Sequence, residues 1–124
     1  MFLLVCRAYL LLIRMDVYLA RRNFSALYEC VRRIPLRKGP AGEDSTEAVC
    51  RAVDLATVWY RKQVLCLERS AAMACLLRRY GVAAQLVIGA QAMPFRAHAW
   101  VEVDGRVIGD KPYTGEIYSV LDRC

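Results

Sequence analysis

The sequence predicts an α+β fold in which N-terminal helices pack with a small antiparallel sheet. Three observations predict it. Apolar residues recur at helical spacing through most of residues 2–77. Beyond Gly81 the pattern changes. Residues 82–88 and 97–103 read as strands, and Asp104-Gly105 separates the second from a returning strand over 106–110. Finally, 124 residues that are 57% hydrophobic suffice for one domain with a real core, and exclude a disordered chain.

Taken in order, residues 2–13 open a helix that extends towards Arg22. Arg7 interrupts the apolar run and Arg14 ends it, which falls short of the roughly 18 uncharged residues a membrane span requires. Asn23 and Ser25 recap the chain for a short helix over 24–31. Residues 34–44, with Pro35, Gly39, Pro40 and Gly42, form a linker. The single domain over 1–124 therefore divides into a helical region at 1–33, the linker, and a larger piece at 45–124. Asp44 and Glu47 have capping-box spacing for the next helix, which should end near Tyr60. A further helix begins near Cys66, carries Arg78-Arg79 in its last turn and stops at Gly81. The first strand then ends at Gly89, and residues 91–96 form a loop.

The formal net charge is +6, carried more by Arg than by Lys. The pairs Arg21-Arg22, Arg32-Arg33 and Arg78-Arg79 each fall near a helix end, where they complement the dipole. They would also attract an acidic peptide or partner. No basic run interleaved with aromatics and no nucleic-acid motif is present, so no nucleic-acid partner is expected. The six cysteines include no CxxC, and one histidine cannot complete a Cys2His2 site, so no metal site is expected. The apolar start lacks a basic region and a small-residue cleavage site, which points to a cytoplasmic chain with reduced thiols, no transmembrane segment and no cofactor.

The hairpin register can be argued. A two-residue turn at Asp104-Gly105 would set Val103 against Arg106, Trp100 against Gly109 and His98 against Lys111. A three-residue loop with a glycine bulge would instead pair Glu102 with Arg106, Trp100 with Ile108 and His98 with Asp110. Such pairs contribute roughly 0.2–1 kcal/mol each, so the bulged register is expected.

Cys66, His98 and Asp110 together carry chemistry. A helix start or a nearby imidazolium favours the thiolate, the nucleophilic form. His98, the only histidine, would take the thiol proton and return it to a leaving amine. Asp110 would hold the imidazole's tautomer and orientation. The Cys66 N–H would be one oxyanion donor, and Gln63 is a candidate for the second. Taken singly, each residue also has a structural explanation: packing for Cys66, a core or surface contact for His98, a turn for Asp110. Trp100 is read as core. Acyl transfer to an amine by the same triad and a non-catalytic peptide-binding adaptor remain open beside the cysteine peptidase.

At these residues the chain resembles a known family. Cys-Leu-x-Arg-Ser at 66–70, Leu-Leu-Arg-Arg-x-Gly at 76–81 and Pro-Phe-x-Ala-His-Ala-Trp-Val-Glu at 94–102 are similar to the transglutaminase-like leader peptidases of lasso-peptide biosynthesis. More narrowly, the chain resembles the stand-alone protease half of a split maturation B protein. The resemblance implies a papain/transglutaminase-like cysteine peptidase core. It implies cleavage of the leader from a ribosomally made precursor peptide. Implied partners are a small leader-binding recognition protein and a separate macrolactam-forming cyclase. It assigns Cys66 as nucleophile, His98 as general base and acid, and Asp110 as orienting acid. The chain departs from the family pattern at Ala71-Ala72 and Ala90-Gln91, positions that bear on substrate preference.

Overall fold

The computed structural model describes residues 2–34, 43–60, 66–92, 94–110 and 114–124. The elements are α1 (Phe2–Ala20), α2 (Phe24–Arg32), α3 (Glu43–Trp59), α4 (Cys66–Arg79), β1 (Ala84–Gln91), β2 (Arg96–Val103), β3 (Arg106–Ile108), a one-turn α5 (Thr114–Ile117) and β4 (Ser119–Arg123). Most of the expected linker lies outside the described residues. α3 opens at Glu43, one residue ahead of the expected Asp44 cap.

α1 ends because Arg22 turns left-handed, with φ 53°. The Asn23 N–H then donates to the Tyr18 carbonyl at 2.8 Å. Asn23 also starts α2: its side-chain oxygen accepts from the Ala26 N–H at 3.1 Å, satisfying a donor that has no helical partner.

α4 is the central element. Every residue from Ser70 to Arg78 is buried, because α1, α2 and α3 pack against it, and so do β1 and β2. Met73, Leu76 and Leu77 are fully buried, each contributing about 1.5–3 kcal/mol of burial. The helix closes as expected at Gly81, and the Val82 N–H reaches back to the Leu77 carbonyl at 3.0 Å.

Arg78 has a different task from the expected one. Its guanidinium is buried. Nε donates to the Ala84 carbonyl at 2.7 Å, and Nη1 donates to the Val31 and Ile34 carbonyls at 2.6 and 3.3 Å. It therefore serves the C-terminal end of α2 and the start of β1. Burial pulls its pKa below the ordinary arginine value.

The four strands form one antiparallel sheet in the order β3-β2-β1-β4. Side chains alternate across it. Ala84 and Leu86 of β1, with Ala99 and Val101 of β2, join the helical core. Val87 and Trp100 are buried on the opposite face.

Three strand expectations need correction. β1 does not end at Gly89 but runs through it to Gln91. A Cβ at Gly89 would lie 2.6 Å from the Trp100 ring, so this glycine marks a close approach within the sheet. The hairpin register is the two-residue one: Val103 opposes Arg106, Glu102 opposes Val107 and Val101 opposes Ile108. Asp104 and Gly105 both have positive φ, 52° and 76°, the type I′ geometry whose twist suits paired strands. The expected Glu102–Arg106 pair is replaced by a buried bond from Trp100 Nε1 to Glu102 Oε2 at 2.9 Å, with Arg123 Nε at 3.4 Å from Glu102 Oε1. The returning strand stops at Ile108, short of Asp110. The segment beyond Asp110, which carried no assignment, supplies α5 and the edge strand β4 on the free side of β1.

Among the described residues, no helix is long and apolar enough to cross a membrane.

Candidate active site

Cys66 is the first residue of α4 and is exposed. At that position the first backbone N–H groups of the helix have no helical acceptor and are open to an oxygen bound beside the thiol. Two side chains, Arg69 and Ser70, hold this end of α4. The Arg69 guanidinium meets Asp54 of α3 at 2.6 and 3.1 Å. One turn after Cys66, the Ser70 hydroxyl donates to the Ala99 carbonyl at 3.0 Å in the interior. Ser70 thus ties the Cys66 turn to the strand residue next to His98. It stands inside the motif that carried the family resemblance, yet its role was not apparent from the sequence.

His98 and Asp110 come together although their strands are not in the expected register. His98 Nε2 lies 2.6 Å from Asp110 Oδ2, and each side chain is 26% exposed. Gly109 makes this possible. Its φ is +70°, and a Cβ there would come within 2.9 Å of the Met73 side chain. The chain can therefore leave β3, pass close over α4 and turn Asp110 back towards β2. In the tautomer that donates Nε2–H to the carboxylate, Nδ1 is the ring's acceptor.

The imidazole is also held by rings. Tyr118 stacks on it with centroids 5.2 Å apart and planes at 30°, and Trp100 lies at 6.0 Å and 25°. Trp100 is core, as expected, at 1% exposure. Tyr118 was missed, because it follows the unassigned α5 turn and only tertiary folding brings it to His98. Gly89 leaves the room for this packing: a Cβ there would also meet Tyr118 at 2.9 Å.

Cys66 and His98 line one cavity of about 200 Å³. Its other walls are Phe24 and Tyr28 of α2, Leu67, Ile88, Ala97 and Ala99, so the approach to the thiol is mostly apolar. Gln63, the candidate second oxyanion donor, lies outside the described residues, as do Lys111, Pro112 and Tyr113. Among the described residues no group of three or more His, Cys, Asp or Glu is placed to hold a metal ion.

All six cysteines are free. Cys30 of α2 is the one most shifted towards thiolate. A hydrogen bond with Cys75 and, behind it, the charges of Arg14, Arg79 and Arg33 lower its pKa to about 6. Cys75 is correspondingly pushed up, as are Cys50 and Cys124, the latter two chiefly by burial.

Comparison with known proteins follows the same outline. A family model described as the transglutaminase-like superfamily matches residues 9–123. The chain is 43% identical over 56 residues to the microcin J25-processing protein McjB of Escherichia coli. That alignment covers 45% of this chain and 27% of McjB, so the match spans about a quarter of the relative's length. No solved structure matches significantly.

Proposed function

This chain belongs to the transglutaminase-like superfamily, and from that premise we propose that it is a cysteine peptidase acting in lasso-peptide processing. The 2.6 Å contact between His98 and Asp110, beside a helix-start thiol on the same cavity, is the observation that carries this reading. The partial identity to a microcin-processing protein supports the substrate class. The reaction is removal of the leader from a ribosomally made precursor.

In the proposed cycle His98 Nδ1 accepts the Cys66 proton and the thiolate attacks the carbonyl at the leader–core junction. The imidazolium, held by Asp110, returns the proton to the departing amine of the core. Water then hydrolyses the acyl-enzyme, with His98 as base. The Cys66 N–H stabilises the oxyanion, and Gln63 remains the candidate second donor.

Residues 1–124 act as a single domain, in the cytoplasm. A small leader-binding protein presents the precursor, and a separate cyclase closes the freed core. The surface assigned to the leader-binding partner is the apolar groove of about 800 Å³ between α1 and α3, lined by Phe2, Leu10, Leu55 and Trp59. Trp59 and Phe2 are 75% and 80% exposed, more than such side chains need in isolation.

The test is a cleavage assay with precursor and partner, comparing native protein with Cys66→Ala. Release of free leader acid and free core amine, both lost in Cys66→Ala, supports the peptidase. Persistent cleavage in Cys66→Ala sinks it. An amide product formed with an added amine moves the reaction to acyl transfer.

A further inference from the structure

α2 is a wall between two cavities. Phe24 and Tyr28 line the Cys66 cavity on one side. Ser25, Glu29 and Cys30 line a second cavity, of about 430 Å³, on the other. Three guanidinium groups from separate segments converge on that second cavity: Arg14 from α1, Arg33 just past α2, and Arg79 at the end of α4.

Among the described residues, little neutralises them. Arg14 Nε donates to the Tyr18 hydroxyl at 3.2 Å and its guanidinium lies over that ring at 5.9 Å, both neutral partners. Among the described residues neither Arg33 nor Arg79 has a carboxylate within ion-pair distance. Glu29, the acidic residue on the wall, is 3.8 Å from Arg32 instead. Cys30 senses the resulting field: after its bond with Cys75, these three arginines are the charges that favour its thiolate. Three like charges around one opening form a site that an anion would complete through charge-assisted hydrogen bonds.

We propose that this cavity is a specificity subsite that takes the carboxylate of an acidic residue in the peptide substrate. The inference rests on the peptidase reading. A peptide lying over Cys66 has only to cross α2 near Phe24 and Ser25 to reach it. A helix is about 10 Å across with side chains, and an extended chain advances roughly 3.3 Å per residue. The acidic residue therefore sits about three or four positions from the scissile bond.

The first test is independent of cleavage. Capped tetraglutamate and tetraglutamine peptides, and inorganic phosphate, are added to the protein at low salt. The alkylation rate of Cys30 is then followed by mass spectrometry. Tetraglutamate is expected to slow Cys30 several-fold, with tetraglutamine inert. Arg33→Gln combined with Arg79→Gln should abolish the protection. Both arginines are exposed, and a circular dichroism spectrum identical to the native one establishes that the variant is folded. Equal Cys30 rates with and without tetraglutamate overturn the subsite. Protection by phosphate at lower concentration than by the peptide overturns the substrate assignment and makes this a phosphate site. The second test uses precursors bearing Glu or Gln at the third and fourth positions on each side of the junction. Native protein should favour Glu about tenfold in KM, and the double variant should approach parity, an effect of the size expected for hydrogen bonds to charged groups. Equal KM for Glu and Gln precursors with the native protein overturns the subsite. If no precursor is cleaved, the peptidase reading fails and the Cys30 protection still decides the subsite.

Discussion

Two thiols in this molecule divide the properties that a nucleophile must combine. Cys30 is drawn towards its thiolate. It sits among Arg14, Arg33 and Arg79 beside Cys75, with a pKa lowered to about 6, but it is 8% exposed and no histidine adjoins it. Cys66 is exposed at a helix start and shares its cavity with His98, which Asp110 holds at 2.6 Å. A low pKa alone makes a thiolate. Turnover also needs room for a carbonyl and a group that can return a proton to the leaving amine. The Cys66 cavity is open and carries His98 on its wall, whereas the Cys30 cavity has three arginines and no histidine.

The largest effect that sharpens this contrast comes from His98→Ala. Cleavage should fall by about 10³–10⁴-fold, while the alkylation rate of Cys30 stays where it is. A parallel fall at Cys30 would show that the two regions are not independent. Asp110→Asn comes next. It preserves shape but no longer fixes the tautomer, so kcat/KM should drop by on the order of 10²-fold or more. A drop below threefold would remove Asp110 from the mechanism.

Arg78 joins the two regions, since it bonds the end of α2 and the start of β1 from within α4. Arg78→Met removes the side-chain donor from the Ala84 carbonyl and leaves the Val31 carbonyl only the Ile34 N–H at 3.3 Å, at a cost of about 1–3 kcal/mol. Chemical denaturation reads this directly, and a loss under 1 kcal/mol would mean that water replaces the guanidinium. Tyr118→Ala removes the ring stacked on His98. It should lower kcat about tenfold and leave KM near its native value, with Tyr118→Phe restoring kcat, because a displaced base costs rate rather than binding. Failure of the Phe variant to rescue would assign the effect to the hydroxyl.

The smallest effect is a difference in pH profile. The Cys30 pKa is lowered in the folded protein, so its thiolate forms on raising the pH through about 6 and is lost on lowering it. Its alkylation should level off by about pH 7 to 8. Cys75 and Cys124, both raised, should still be gaining rate at pH 9. Identical profiles would show that neither the Cys75 hydrogen bond nor the arginines around it favour the Cys30 thiolate.

The hairpin shows how a site can be legible while its geometry is not. Pair energies of about 0.2–1 kcal/mol argue for a bulged register that sets His98 opposite Asp110. The Asp104-Gly105 dipeptide is itself a strong type I′ signal, and it sets the actual register. In that register strict continuation would place Lys111 opposite His98. The strand stops at Ile108 instead, and the left-handed Gly109 brings Asp110 back. Pairwise energies also left Trp100 without a neighbour in this register. Its neighbours are Val87 across the sheet and Tyr118 from a segment with no strong pattern.

What the sequence determined by itself is local. Apolar spacing, Asn23 as a cap and Gly81 as a stop are effects of neighbouring residues. They placed α1, α2 and α4 and both strands of the hairpin, and they brought Cys66 to a helix start. The single histidine and the hairpin argument then singled out His98 and Asp110, and the family resemblance assigned their roles. What only the tertiary structure decided depends on contacts between distant segments. Arg78 turned inward because the end of α2 presents the Val31 and Ile34 carbonyls to it. β4 joined the sheet because β1 had an open edge. Tyr118 reached His98 because Gly89, which interrupts the sequence pattern of a strand, leaves space in the folded sheet. The gathering of Arg14, Arg33 and Arg79 belongs to the same class: one arginine within α1 and two at helix ends, separate in the sequence, line a single cavity once their helices pack together.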